Sequence, residues 1–249
     1  MKRPTLKFLT LALLSLTPLG FAQQGADAIL SALLDAQRGA QTMRGGVTMR
    51  ISRPGREEVF ELELVTDGEA RSLIRVTAPP RDAGQAFLRR GDELFLYNPR
   101  LRRTLRLPPS AQSDAFLGSD LAYGDLSGRD LETDYTAEIT GETADAIELT
   151  LTPTPTAPTP YGRVVIVAGV SEEGDLTPLE YTFYDQRGAA VRRVTFSEVV
   201  QVAEVAFPTR LEVTNLLREG ERTVLVIRDP EFGAEVSGCF TEAALERGC

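Results

Sequence analysis

The 249-residue chain contains no histidine, no tryptophan and only two cysteines. Without an imidazole, Ser-His-Asp and Cys-His nucleophilic sites, histidine-bound zinc and the H-E-x-x-H metalloprotease helix are all excluded. Covalent chemistry would have to run on carboxylates, arginine, tyrosine, hydroxyls or the two thiols. Positive charge is also in deficit, with 27 basic against 36 acidic side chains for a net charge of −9. Such a surface does not suit nucleic acid as a partner. No cofactor and no metal are expected.

Long apolar runs are missing except at the start. Lys2, Arg3 and Lys7 form a basic leader to the apolar stretch 8–16, and Gly20-Phe21-Ala22 offers small residues at −3 and −1 of a cleavage site. This reads as a signal peptide over 1–22, with export to the periplasm. A retained anchor is the plainer alternative, but the run is short and Pro18 interrupts it. No cysteine lies near the cleavage site, which closes the lipoprotein route. The remaining chain, 23–249, is expected to be a single soluble domain. Cleavage removes three cations and no anions, leaving 24 arginines, no lysine and 36 acids, net −12. Every remaining cation is a guanidinium, always charged and able to pair in a bidentate fork. Cys239 and Cys249 fall in the last eleven residues. In an oxidising compartment they read as a short-loop disulfide, the alternative being two free thiols.

Periodicity supplies the fold class. Ile29, Leu30, Leu33 and Leu34 have helical spacing before a glycine stop at Gly39, with Asp27 as N-cap or first-turn anion. From Val47 the period becomes two: Phe60, Leu62 and Leu64 share a face, and Asp67-Gly68 turns the chain into Ser72–Ala78. Short strands continue over Ala86–Arg90, Glu93–Asn98 and Arg102–Leu107. Residues 108–132 read as a long loop with one or two helical turns. Strands resume at Tyr135–Gly141 and Ala146–Thr152, and the Pro/Thr run 153–160 is a stiff connection. Five more strands follow, then a short helix at Thr241–Arg247. The class is mainly β (α+β), about a dozen antiparallel strands that must close or curl. A curled sheet with an apolar inside suits a lipophilic ligand.

The densest local signal runs from Asp92 to Asp134. A strand over Arg100–Leu107 would place Arg100, Arg102 and Arg106 on one face and Leu101, Leu105 and Leu107 on the other. The functional reading is a basic stripe for phosphate, carboxylate or an acidic partner; the plainer one is a solvated face that discourages edge pairing. The acids that follow, among them Asp114, Asp120, Asp125, Asp130, Glu132 and Asp134, show no EF-hand spacing. Glycoside hydrolysis by a carboxylate pair stays open at this point, beside the plainer reading that these acids cap short helices and pair with the stripe.

Leu94-Phe95-Leu96-Tyr97-Asn98-Pro99, then Leu101-Arg102-Arg103 and Arg106, then Phe116-Leu117-Gly118-Ser119-Asp120 and Tyr123-Gly124-Asp125-Leu126 together resemble the outer-membrane lipoprotein-sorting protein family, relatives of the periplasmic carriers LolA and LolB. Leu176-Thr177-Pro178-Leu179, Phe183-Tyr184-Asp185-Gln186-Arg187-Gly188 and Phe240-Thr241 before Leu245 agree with it, so the resemblance spans Val47 to Arg247. It implies a half-open antiparallel barrel whose concave apolar face is covered by an N-terminal helix and a helical lid loop. The lid motif would be Phe116, Gly118, Ser119, Asp120, Tyr123 and Asp125. Leu62, Leu64, Ile74, Val76, Leu94 and Leu96 would line the cavity. In the founding carrier a cavity-facing arginine ties the lid shut. Arg71 and Arg75 occupy the corresponding strand, and the pattern does not choose between them.

The expected function is therefore a monomeric, non-enzymatic carrier. It would shield acyl chains of lipoproteins or other lipids between an inner-membrane transporter and an outer-membrane acceptor. The alternatives are a sensor or interaction protein of the same fold that regulates a membrane partner, and, more remotely, a carboxylate hydrolase.

Overall fold

The computed structural model describes residues 19–38, 42–68, 70–108, 110–111, 114–126, 130–157, 159–172, 174–202 and 205–249. An N-terminal helix, α1 (Leu19–Arg38), precedes six strands: β1 (Met43–Arg53), β2 (Arg56–Thr66), β3 (Arg71–Ala78), β4 (Ala86–Arg90), β5 (Glu93–Asn98) and β6 (Arg103–Leu107). After a crossing segment containing 3-10 turns at Phe116–Gly118 and Gly124–Leu126 and a short helix, α2 (Asp130–Thr133), seven more strands follow. These are β7 (Tyr135–Glu142), β8 (Ala146–Pro153), β9 (Tyr161–Val170), β10 (Leu176–Asp185), β11 (Ala190–Val202), β12 (Val205–Asn215) and β13 (Arg222–Phe232), and α3 (Glu242–Arg247) ends the chain.

All thirteen strands form one antiparallel sheet in the order β6-β5-β4-β3-β2-β1-β13-β12-β11-β10-β9-β8-β7. Each half is an unbroken meander, joined at the centre by the β1–β13 pair, in which Met49 stands opposite Leu225. β6 and β7 are the two free edges, so the barrel is half-open. The Pro/Thr connection joins β8 to β9 within this sheet.

Alternation sorts the side chains onto two faces. The inner face carries Val47, Met49 and Ile51 of β1, Phe60 and Leu62 of β2, Ile74 and Val76 of β3, Leu149 and Leu151 of β8, Val164, Ile166 and Ala168 of β9, and Val194 and Phe196 of β11. Helix α1 packs on this side across β7, β10 and β12, burying Ala26, Leu30, Leu33 and Leu34 at helical spacing. A second, smaller core lies on the outer face. There Val65, Leu73, Leu88, Phe95 and Tyr97 meet Val236, Phe240, Ala244 and Leu245 of the C-terminal segment.

Three sequence expectations shift. Helix α1 begins at Leu19 and has no acid in its first turn, so Asp27 sits inside the helix rather than at its cap. No residue between Leu19 and Asp27 breaks a helix outright, Gly20 and Gly25 being tolerated at modest cost. β6 begins at Arg103 rather than at Arg100 or Arg102. The Oδ1 of Asn98 accepts the backbone N–H groups of Arg100 and Leu101 at 3.0 and 3.2 Å, and Arg102 takes a φ of 48°. That local bonding spends the preceding residues on a turn. β12 starts at Val205 rather than Thr209 and continues the β11–β12 hairpin, with Val200 opposite Phe207.

The C-terminal segment is fastened by three devices. The Oγ1 of Thr241 caps α3 by accepting the Ala244 N–H at 3.2 Å. The guanidinium of Arg75 donates to the carbonyls of Ala244 and Leu245 at 2.7 and 2.9 Å. Cys239 and Cys249 form the expected disulfide, with Cα atoms 4.7 Å apart. Opening this short loop by Cys239→Ser/Cys249→Ser should cost about 2 kcal/mol, a fall of about 4–8 °C in melting temperature. Thermal unfolding with and without reductant checks it, and the variant's melting should not respond to the reductant.

Candidate functional site

The inner face of the β1–β6 half is closed by the segment 114–126, a compact loop rather than a strand or a long helix. Its chain folds back so that the Phe116 N–H donates to the Leu121 carbonyl at 2.7 Å and the Tyr123 N–H to the Asp114 carbonyl at 3.1 Å. The buried Ser119 Oγ accepts the Leu121 N–H at 3.1 Å. Leu117 and Gly118 take positive φ values of 50° and 76°, the backbone requirement that Gly118 meets without strain. The turn points Phe116 inward, where it is fully buried. Phe116 meets Phe87 of β4 edge-on at 4.9 Å, and Tyr123 completes the trio at 5.7 Å from each ring.

Two arginines on inward-facing strand positions hold this loop. At the end of β1, Arg53 Nη1 donates to Asp120 Oδ2 at 2.9 Å, and its Nη2 donates to the Gly118 carbonyl at 3.0 Å. The Thr223 hydroxyl on β13 donates to Asp120 Oδ2 at 2.7 Å and accepts the Asp120 N–H at 3.0 Å. On β11, Arg192 makes a bidentate pair with Asp125 at 2.7 and 2.9 Å. The Arg192 guanidinium stacks on Phe183 at 4.1 Å. Asp125 also accepts the Ala122 N–H at 2.7 Å, so the same carboxylate shapes the loop and fastens it. Burial works against the Arg192 charge, but the Asp125 carboxylate together with Tyr161 and Tyr135 outweighs it, and the guanidinium is held above its ordinary pKa. Side-chain exposures of 15% and 7% for Arg53 and Asp120, and 11% and 24% for Arg192 and Asp125, place both pairs between the exposed and the deeply buried case. They attach the loop to opposite sides of the central β1–β13 seam.

The six lid-motif residues are thus brought together, with Asp120 and Asp125 as its charged anchors. Their partners are Arg53 and Arg192, not the arginines at 100–106. Of the residues expected to line a cavity, Leu62, Ile74 and Val76 lie in the inner core, while Leu64 and Leu96 pack partly buried against it. Leu94 is also buried, opposite Arg89 and Leu107 in register. Arg71 and Arg75 are not latches. Period two turns both to the outer face, where Arg71 lies over the Phe240 ring at 4.8 Å and Arg75 caps α3. The signal that would have found Arg53 and Arg192 is parity, because each continues an inward-facing apolar series: Val47, Met49, Ile51 for the first, Val194 and Phe196 for the second.

Arg100, Arg102 and Arg106 do not form one stripe. The Arg100 Nη2 donates to the Arg81 carbonyl at 2.6 Å, Arg102 stands in the turn, and Arg106 pairs with Glu93 at 3.0 Å on the outer face of β6. Among the described residues no group of three or more His, Cys, Asp or Glu could hold a metal ion. Asp120 and Asp125 are each committed to a guanidinium and to backbone or hydroxyl donors, an arrangement suited to fastening rather than to proton transfer.

Removing one member of a partly buried pair strands the other. Asp125→Asn should therefore destabilise the protein by about 2 kcal/mol and raise amide exchange selectively over 114–126. Arg50→Ala, which breaks only the exposed Arg50–Glu57 pair, should cost under about 1 kcal/mol and leave that exchange unchanged. Burial also pushes the Tyr123 and Tyr161 hydroxyls above the usual tyrosine pKa. Their neutral forms favour the folded state, so this contribution is full below the unfolded tyrosine value of about 10 and is lost as pH rises beyond it. Spectrophotometric titration should show late-ionising tyrosines, and Tyr123→Phe should remove one of them.

A family model described as "uncharacterized protein" matches residues 68–247. No curated protein matches the chain. Among solved structures, an outer membrane lipoprotein-sorting protein domain from Vibrio parahaemolyticus superposes with a TM-score of 0.78 at 23% identity, covering 90% of this chain and 100% of that one. A DUF1329 family protein from Desulfovibrio piger superposes with a TM-score of 0.77 at 22% identity, over 90% and 99% of the two chains. A LolA superfamily protein from Nitrosomonas europaea gives 0.71 at 22% identity, over 88% and 98%. The chain belongs to the family that the matching model defines, and its fold is that of the LolA-like lipoprotein-sorting proteins.

Proposed function

We propose that this protein is an exported carrier, mature from about residue 23, that shields acyl chains of lipoproteins or other lipids on the inner face of its half-barrel on the way to the outer membrane. One observation carries the reading: a continuous apolar sheet face is covered by a helix and by a loop held at two ion-paired points. Such a cover can leave as a unit. The apolar residues beneath it, Leu62, Leu64, Ile74, Val76 and Leu96, would then exchange Phe116 and Tyr123 for acyl chain. Leu94 lies on the same face and extends the lining toward β6.

The energetics suit a carrier. Each buried methylene contributes about 0.8 kcal/mol, so a few acyl chains far exceed what two partly exposed ion pairs and an aromatic trio hold in place. Release then depends on the lid reclaiming its seat, since lid and cargo compete for one surface. The neighbour described as a lipoprotein-sorting domain supports this assignment through its shared fold. In this reading the donor and acceptor are membrane proteins, the carrier acts as a monomer, and no covalent step occurs.

Protein purified from its native compartment, extracted with organic solvent and analysed by mass spectrometry, should yield lipid. Asp120→Asn/Asp125→Asn, which frees the loop, should take up a dansylated fatty acid at least several-fold more tightly than the parent chain. Absence of extractable lipid together with no dansyl binding by the freed variant would sink the carrier reading.

A further inference from the structure

The sheet order leaves β6 with a neighbour on one side only. The chain around it has an unusual composition. Residues 94–113 contain Arg100, Arg102, Arg103 and Arg106 and no acid, in a protein of net charge −9. Arg106 reaches Glu93 and Arg100 reaches a carbonyl, but Arg102 and Arg103 make no ion pair with another described residue. Leu101 is 63% and Leu105 49% exposed; among large apolar side chains in the described residues only Leu217 exceeds Leu101. By register, Leu105 extends the inner-face row beyond Leu96, and Arg106 extends the outer row beyond Phe95.

Guarding an edge against chance pairing needs only charge. It gains nothing from exposed leucines set among the arginines, which are a liability there. We propose that the open edge of β6 is a docking edge for an extended acidic segment of a partner protein, which adds to the sheet as one more strand. Main-chain hydrogen bonds to the unpaired N–H and C=O groups supply affinity. Acidic side chains against Arg102, Arg103 and Arg106, and an apolar one over Leu105, supply selectivity. A narrow segment fits this chain better than an anionic bilayer does. A bilayer surface would also meet the acidic body of the protein, whereas a single strand meets charge only within about a Debye length of 8 Å. The inference stands apart from the lipid reading, because edge pairing needs no cargo in the half-barrel.

The test uses the purified protein and a fluorescein-labelled peptide, acetyl-Glu-Val-Glu-Val-Glu-Glu-Val-Glu-amide, followed by anisotropy. Saturable binding is expected. It should weaken at least tenfold with Arg102→Glu/Arg103→Glu, but not with Arg187→Glu/Arg218→Glu, which makes the same charge change at two hairpin turns. On the unaltered protein, a peptide of identical sequence N-methylated at alternate amides should also bind at least tenfold more weakly, because its charge is intact and its hydrogen-bonding edge is not. Equal binding of the N-methylated peptide, equal loss in the Arg187/Arg218 control, or no binding at all would each overturn the proposal. So would phosphatidylglycerol vesicles binding through Arg102 and Arg103 where the peptide does not.

Discussion

A thirteen-stranded sheet with two free edges cannot hide its own inner face, and that requirement organises the rest of this molecule. Each half of the sheet is built from hairpins, so only one connection has to travel. The chain leaves the sheet at β6 and re-enters at β7, and these strands are the two opposite edges. The connection between them, where described at 114–126, crosses the open side of the half-barrel, touching β4, β1 and β11. The segment 114–126 is therefore a cover by its place in the chain order, and its composition settles how it sits. Phe116 and Tyr123 give it an apolar underside, Asp120 and Asp125 give it anchors, and Gly118 lets it turn.

Helix α1 and the loop divide the inner face between them. The helix lies across β7, β10 and β12, whereas Phe116 reaches Phe87 on the other half. The two covers differ in kind. Helix α1 packs through the aliphatic row Ala26, Leu30, Leu33 and Leu34, a non-directional contact that yields gradually. The loop is held by hydrogen-bonded ion pairs of defined geometry, which are either made or broken. In the proposed carrier, that difference makes the loop the gate and the helix the scaffold.

Strand periodicity exposed most of the architecture to sequence reading, because alternation over Phe60, Leu62 and Leu64 or over Ile147, Leu149 and Leu151 is a direct imprint of a half-buried sheet. The composition of 108–132 marked the crossing segment, and the spacing of the cysteines agreed with their bond. The anchors were harder to read. Asp120 and Arg53 are 67 residues apart, as are Asp125 and Arg192. Local spacing instead drew attention to the arginines nearest in sequence, at 100–106. Arg71 and Arg75 illustrate the cost of a one-residue step: on β3 they alternate with Ile74 and Val76, so they serve the outer face and the C-terminal helix. The start of β6 was hidden for a different reason, since the Asn98 side chain competes with the strand for backbone N–H groups.

The absence of histidine, and of lysine beyond Lys7, takes on a meaning once the loop's fastenings are known. Both ion pairs join a guanidinium, a planar fork of donors, to an aspartate that also accepts from a backbone N–H or a hydroxyl. Neither pair contains a histidine, the residue that ordinarily switches charge near neutrality. On the proposed carrier reading, the loop opens through competition for the surface it occupies and through whatever binds the chain nearby.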